Sequence, residues 1–202
     1  MPRPPPHSRF FVSDDDPPSK QSILQAALTL FVRNGIAGTS IRMIGAAAGY
    51  TNPAMFKFFD SKEALALYLF ERCYGRLYGS VERATARGTF AEALAGVVDA
   101  FMDAMDEDLE AVLFVQDSLR ELWPQLPPPA RKRSILRLLR HLFERGVETH
   151  AVVGYGSTDL PVATLVGLMA QLARMLYFRE VDGPARRLRG ELDLALGRML
   201  AP

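Results

Sequence analysis

The chain holds a single cysteine, Cys73, among its 202 residues. One thiol excludes an intramolecular disulfide framework and suits a reducing compartment, and Cys73 reads as a small packing residue on the predicted fourth helix. The three histidines, His7, His141 and His150, stand far apart. No Cys/His cluster, glycine-rich phosphate loop or nucleophile-elbow pattern occurs, so neither a metal, a cofactor nor an enzymatic activity is expected. Charge of one sign is also lacking: the net charge is +1, and the chain as a whole is no generic polyanion binder. Its arginines far outnumber its lysines, a bias with a bland genomic explanation. The longest apolar run, Leu160 to Phe178, is interrupted by Gln171 and Arg174, so no membrane span is expected. The first residues, MPRPPPHSRF, contain no apolar core segment of the kind a signal peptide needs, and a cytoplasmic protein is expected. Strand-like alternation and internal repeats are missing as well, which leaves an all-α fold of about nine helices.

What is present concentrates in residues 39–63, TSIRMIGAAAGYTNPAMFKFFDSKE. Thr39 is a suitable N-cap, and Ile41, Ile44 and Ala48 follow at spacings of three and four, giving one inward apolar stripe. Gly49 suits the left-handed conformation just past a helix end. Thr51 is a second N-cap, and Pro53 falls in the first turn of the next helix, where its missing N–H costs nothing. Met55, Phe58 and Phe59 supply that helix's inner face, while Ala54 and Lys57 point outward and Thr51 and Asn52 sit at its tip. Two short helices across a glycine turn are the layout of a helix-turn-helix, whose second helix enters the DNA major groove. Spacing alone leaves an ordinary helical hairpin as an equal reading.

Charge follows the same segment. Residues 19–62 carry Lys20, Arg33, Arg42, Lys57 and Lys62 against the single acid Asp60, whereas residues 1–18 and 63–202 are both net acidic. Positive charge therefore gathers where phosphate contact is expected. Residues 1–18, rich in proline and holding Asp14, Asp15 and Asp16, read as a disordered leader, with Asp16 capping the first helix and Pro17 at its first position. Further helices are expected over Lys62–Ser80, from Thr89 through Met105, over Asp108–Leu122, from Ala130 to about Thr149, from Thr158 or Asp159 to about Arg179, and from Asp182-Gly183-Pro184 to Leu200. Residues 151–158 read as a glycine-containing loop.

The pattern over residues 19–70 resembles the N-terminal domain of the TetR family of bacterial transcription regulators. The matching residues are Ile23, Leu24, Ala26, Ala27, Leu30, Phe31 and Gly35; Thr39-Ser40; Ile44; Ala48-Gly49; and the run Phe59-Asp60-Ser61-Lys62-Glu63-Ala64-Leu65. The resemblance implies a DNA-binding domain over 19–62 and an effector-binding and dimerisation domain over 63–202. It implies a homodimeric, ligand-responsive repressor that binds a palindromic operator. Thr39, Ser40 and Lys62 are then expected on phosphates, and Thr51, Asn52, Pro53, Ala54, Phe56 and Lys57 at the base edges or backbone. Asn52 suits adenine readout and Ala54 a thymine methyl. This chain departs from the family at Tyr50, Pro53, Phe56 and Phe58; Phe56 lacks the hydroxyl that usually meets a phosphate. An interaction protein of the same fold that has lost operator binding is the competing reading.

In the family, the two C-terminal helices pair with their copies. Here Ala163, Gly167, Ala170 and Arg174 form one stripe of mainly small residues, and Leu188, Leu192 and Leu196 another; both stripes could instead face the monomer's own core. A small-molecule pocket between the middle helices is implied, with Phe101, Met105, Phe114, Asp117, Trp123, Phe143 and Met169 as lining candidates. Their apolar and aromatic character suits an apolar or aromatic effector. Asp117 could meet a cationic ligand or simply pair with Arg120 or Arg137.

Overall fold

A computed structural model describes residues 11–13, 15–51, 55–152 and 157–200, with side chains to Arg198. No strand occurs among the described residues. The helices are α1 (Pro18–Asn34), α2 (Ile41–Ala48), α3 (Lys62–Thr85), α4 (Phe90–Leu122), the short α5 (Pro128–Arg131), α6 (Ile135–Glu148), α7 (Asp159–Tyr177) and α8 (Arg189–Leu200). Single 3-10 turns at Trp123–Gln125 and Ala185–Leu188 follow α4 and precede α8. α4 is interrupted at Asp108, whose backbone is extended (φ −156°, ψ 87°), so the two helices expected there are separate.

The chain forms two compact units that do not follow chain order. One comprises residues 1–76 and 110–131, the other 77–109 and 132–202. The second half of α4 thus belongs with α1, α2 and the start of α3, a grouping that a boundary drawn at residue 62 misses. The reason is apolar. The face of α1 at Ile23, Leu24, Ala27, Leu28 and Phe31 is fully covered. Phe31 stacks on Phe114 with ring centroids 5.8 Å apart, and Tyr74 meets Trp123 edge-on at 4.9 Å. Stacked and edge-on aromatic pairs of this kind add to the stabilisation from simple burial.

The second unit is built round α6, whose inner face is Ile135, Leu139, Leu142, Phe143 and Gly146. Ser134 caps it by accepting the Arg137 N–H at 3.3 Å. The single helix expected from Ala130 to Thr149 is therefore two pieces, divided by a tight turn in which the Ser134 N–H donates to the Lys132 carbonyl. Gly146 allows the closest approach in this unit: a Cβ there would lie 2.6 Å from the Phe90 ring, which itself packs on Phe143 at 5.7 Å. Thr89 and Glu92 form a reciprocal capping box at the start of α4. An outer ion-pair ladder fastens the C-terminal segment: Arg186 meets Asp103 at 2.5 Å, Arg189 meets Asp99 at 2.8 Å, and the Ala185 N–H donates to Asp106.

α7 is the one described helix long and apolar enough to cross a membrane. It is one-sided, however, with Val162, Leu165, Met169, Leu172 and Ala173 buried within the unit and Ala163, Gly167 and Gln171 exposed.

Two sequence expectations are corrected at the N-terminus. Residues 11–17 are not a loose leader where they are described: Phe11 is 2% exposed and Asp16 8%. Nor does Asp16 cap α1, whose N-cap is Pro17 with no side-chain bond. The Asp16 carboxylate instead accepts the Ser13 N–H at 3.0 Å and pairs with Lys20 at 2.8 Å and Arg72 at 3.6 Å.

Candidate nucleic-acid interface

The reading head is held by polar bonds that point inward. Ser40, not Thr39, caps α2, accepting the Met43 N–H at 3.2 Å. Thr39 is 2% exposed, and its hydroxyl lies 2.8 Å from the Gly35 carbonyl oxygen and 3.2 Å from that of Leu30. It fastens the end of α1 to the start of α2, and the phosphate contact expected of its side chain is withdrawn. Gly49 closes α2 in the left-handed region (φ 76°, ψ 25°), where its lack of a Cβ removes the steric penalty. Ser61 caps α3 through the Ala64 N–H.

Two of the five cations in this segment are likewise engaged inside. Lys62 donates to the Ile36 carbonyl at 2.8 Å, tying the first residue of α3 to the α1–α2 connection. Lys20 sits 2.8 Å from both Asp16 and the Tyr68 hydroxyl, with its ammonium 4.5 Å from the centre of the Tyr68 ring. Arg72 completes the cluster, donating to the Tyr68 hydroxyl at 2.6 Å. Burial pushes the Asp16 carboxyl up. The Lys20 and Ser13 hydrogen bonds and the charges of Lys20 and Arg72 outweigh it and hold the group below its ordinary 3.8. Burial pulls Lys20 down, but its bonds to Asp16 and Tyr68 dominate and raise it above 10.5.

That leaves Arg33, Arg42 and Lys57 exposed, with no ion partner among the described residues. Ser40 and Thr51 are exposed, and Phe56 presents half its surface to solvent (52%). Met55 and Phe59 are buried and Phe58 half-buried, as the inner face requires. Asn52, Pro53 and Ala54 lie outside the described residues. Arg42 is a contact candidate that the motif reading passed over. It sits two residues after the Ser40 cap, and its position on the outward face of a short helix with an inward Ile44 was the available signal. Tyr50, 36% exposed directly before Thr51, is a second.

The effector candidates fall in both units. Phe114 and Trp123 are packing residues of the first unit, engaged with Phe31 and Tyr74, and Asp117 is an exposed residue of the same unit. Phe101, Met105, Phe143 and Met169 are all buried in the second. An apolar groove of about 250 Å³ opens in that second unit, lined by Phe90, Leu94, Val98, Ala151, Asp193 and Leu196. None of the effector candidates lines it. The dimer candidates also divide. Ala163 and Gly167 are exposed and Ala170, Arg174 and Leu188 half-buried, but Leu192 and Leu196 are buried in the unit's own core. On α8 the outward apolar residue is Leu194, 65% exposed, one register step from the expected stripe. Among the described residues no three His, Cys, Asp or Glu side chains are placed to hold a metal ion.

An inward-fastened α1, a capped α2 and an exposed tip give this head the layout of a helix-turn-helix. Residues 23–69 match the model of the bacterial regulatory proteins of the tetR family. The HTH-type transcriptional repressor KstR2 of Rhodococcus jostii (strain RHA1) is 30% identical over 104 residues, 51% of each chain. The chain thus spans about half the length of this curated relative. Among solved structures, the ketosteroid transcriptional regulator KstR2 of Mycobacterium tuberculosis superposes with a TM-score of 0.82 at 19% identity, covering 96% of this chain and 100% of its own. The regulator FadR of Bacillus subtilis, in complex with stearoyl-CoA, gives 0.66 at 16% identity, covering 90% and 98%.

Proposed function

We propose that the protein is a cytoplasmic transcriptional repressor that binds a two-fold operator as a homodimer and is released by a small apolar effector. The observation that carries this reading is the division of labour in the head. Lys20, Lys62 and Thr39 hold the helices together, which leaves Ser40, Arg42, Thr51, Phe56 and Lys57 outward around the tip. Ser40, Arg42 and Lys57 meet phosphates, and residues Thr51 to Ala54, with Phe56, meet base edges and sugars.

Dimerisation through α7 is supported by its exposed Leu160, Ala163 and Gly167, together with Leu194 on α8. These apolar residues have no cover among the described residues. An apolar effector fits the groove beside Phe90 and Leu196, and it fits the ketosteroid and stearoyl-CoA named for structural relatives. Effector and operator affinities are then linked reciprocally.

The test is fluorescence anisotropy of the purified protein against the DNA upstream of its own gene, at low and physiological salt. Selective binding that falls steeply with salt is expected, and Lys57→Glu abolishes it without unfolding the protein. Weak, unselective binding in the wild type would instead favour an interaction protein that keeps the fold. In sedimentation, Gly167→Leu is expected to dissociate the dimer; an unchanged dimer would move the interface elsewhere.

A further inference from the structure

An open groove of about 620 Å³ runs along α1 on the side away from its buried face. The α1 residues that line it extend from Pro18 to Arg33, with Val12 beside the first and Ala47 and Ala48 of α2 as a second wall. Between them the lining is mainly small or apolar, as at Ala26 and Leu30. None of the residues assigned to DNA contact belongs to it.

The two ends of the groove carry opposite charges. Arg33 lines one end, exposed and without an ion partner among the described residues. At the other, Asp15 stands exposed between Val12 and Pro18 and has no ion partner there either. Gln21 fixes that end, its amide donating to the Asp16 carbonyl at 2.7 Å and the Ser13 carbonyl at 3.4 Å. The Ser13 hydroxyl oxygen accepts the Asp15 N–H at 3.3 Å. Glu110 reaches the groove only at Thr29, whose hydroxyl it accepts at 2.6 Å. On α2, Met43 lies one turn before Ala47 and is 38% exposed, an apolar knob at the rim.

A surface with an anion at one end, a cation at the other and a knob beside a groove complements itself when turned about a two-fold axis. Each Asp15 then meets the other copy's Arg33, and each Met43 enters the other copy's groove. DNA is the poorer occupant, because Asp15 would face phosphate. α1 has 17 residues, roughly 25 Å of helix, so a strip about 10 Å wide covers roughly 250 Å² per copy. Stable pairs need about 800 Å² on each partner. The heads also repel one another in solution, because residues 17–59 contain no carboxylate. On DNA, phosphates neutralise that charge and neighbouring sites supply a high effective concentration.

We propose that this groove is the contact between reading heads of two dimers on adjacent operators, paired through Asp15 and Arg33. This rests on the reading of the protein as a DNA-binding dimer and adds cooperative occupancy of paired sites.

Fluorescence anisotropy of the full chain tests it, on duplexes carrying the upstream operator once, or twice at spacings varied over one helical turn. At one phase of spacing, the paired duplex is expected to bind about tenfold more tightly per site than the single one. Arg33→Glu and Asp15→Arg each abolish that margin with unchanged melting temperature, and Asp15→Arg/Arg33→Glu restores it. A wild type with no margin at any spacing overturns the proposal, as do single variants that keep it or a swapped pair that fails to regain it. Arg33→Glu that loses binding to the single operator outright also overturns it, by assigning Arg33 to DNA. A wild type that ignores the single operator refutes the regulator reading together with the proposal; single-site binding without a margin refutes the pairing alone.

Discussion

The two units of this protein place their charged groups in opposite ways. In the first, the Asp16–Lys20–Tyr68–Arg72 cluster is part-buried, and Lys62 and Thr39 turn their donors onto backbone carbonyls. In the second, the Arg186–Asp103 and Arg140–Asp159 pairs lie at the surface, and the interior is apolar. The difference teaches what each unit must do. A head built from α1, α2 and the start of α3 has a small core, so inward hydrogen bonds fix its helix ends. The second unit packs apolar faces against one another and leaves most of its ionic bonds to its rim, with Arg189–Asp99 half-buried beneath them.

Four substitutions probe that contrast, beginning with the largest expected effect. Phe114→Ala removes the partner of Phe31, and truncation of a buried phenylalanine costs about 3–5 kcal/mol. Hydrogen exchange is expected to show the loss over α1 and α2, although residue 114 lies far away in sequence. Protection that fell only in residues 132–198 would reassign the second half of α4.

Asp16→Ala comes next, at about 2–3 kcal/mol, because Lys20 and Arg72 are left facing each other without their shared acceptor. Its effect depends on pH with a definite sign. The Asp16 carboxyl is held below 3.8 in the folded protein, so its contribution is present above about pH 4 and fades as the pH falls through the folded value. Lys20 is raised above 10.5, so its share is intact below that pH and fades above it. Urea denaturation from pH 3 to 7 is expected to show a steeper acid decline in the wild type than in Asp16→Asn; parallel curves would remove Asp16 from the fastening of the head.

Gly146→Ala tests close packing in the second unit. Its Cβ meets the Phe90 ring, and overpacking of this kind costs about 1–3 kcal/mol, read as a lower melting temperature. An unchanged melting temperature would mean that Phe90 moves aside freely. Arg186→Ala is the smallest, under about 1 kcal/mol, because pairs this exposed gain little and are screened by salt. A loss as large as that of Asp16→Ala would erase the contrast between the two units.

Much of the head was legible in the sequence because its helix ends are local events. Gly49 in the left-handed region and Met55 and Phe59 turned inward follow from residue type and spacing alone. The assignment of the α2 cap slipped by one residue, to Ser40, because either of two adjacent hydroxyls satisfies the pattern and only tertiary packing buries Thr39. The leader misled for a similar reason: proline and aspartate suggest disorder, yet Asp16 finds Arg72, fifty-six residues away. Leu192 and Leu196 show the limit on the candidate interface. Helical periodicity marks an apolar stripe without saying whether it meets the chain's own core or a copy, and here that stripe is interior. The pocket candidates divide between two units, a partition that no local pattern announces.

The extended residue at Asp108 has a practical meaning for anyone moving parts between regulators. The first unit takes in residues 110–131, so cutting after residue 76 would strip Phe114 from Phe31, Trp123 from Tyr74 and Glu110 from Thr29, whose hydroxyl it accepts at 2.6 Å. The head is therefore not a cassette that can be lifted out by its N-terminal sequence. A chimera that borrows it must borrow the distant helix too, and homologous recombination that respects only linear boundaries would deliver a head with an open side.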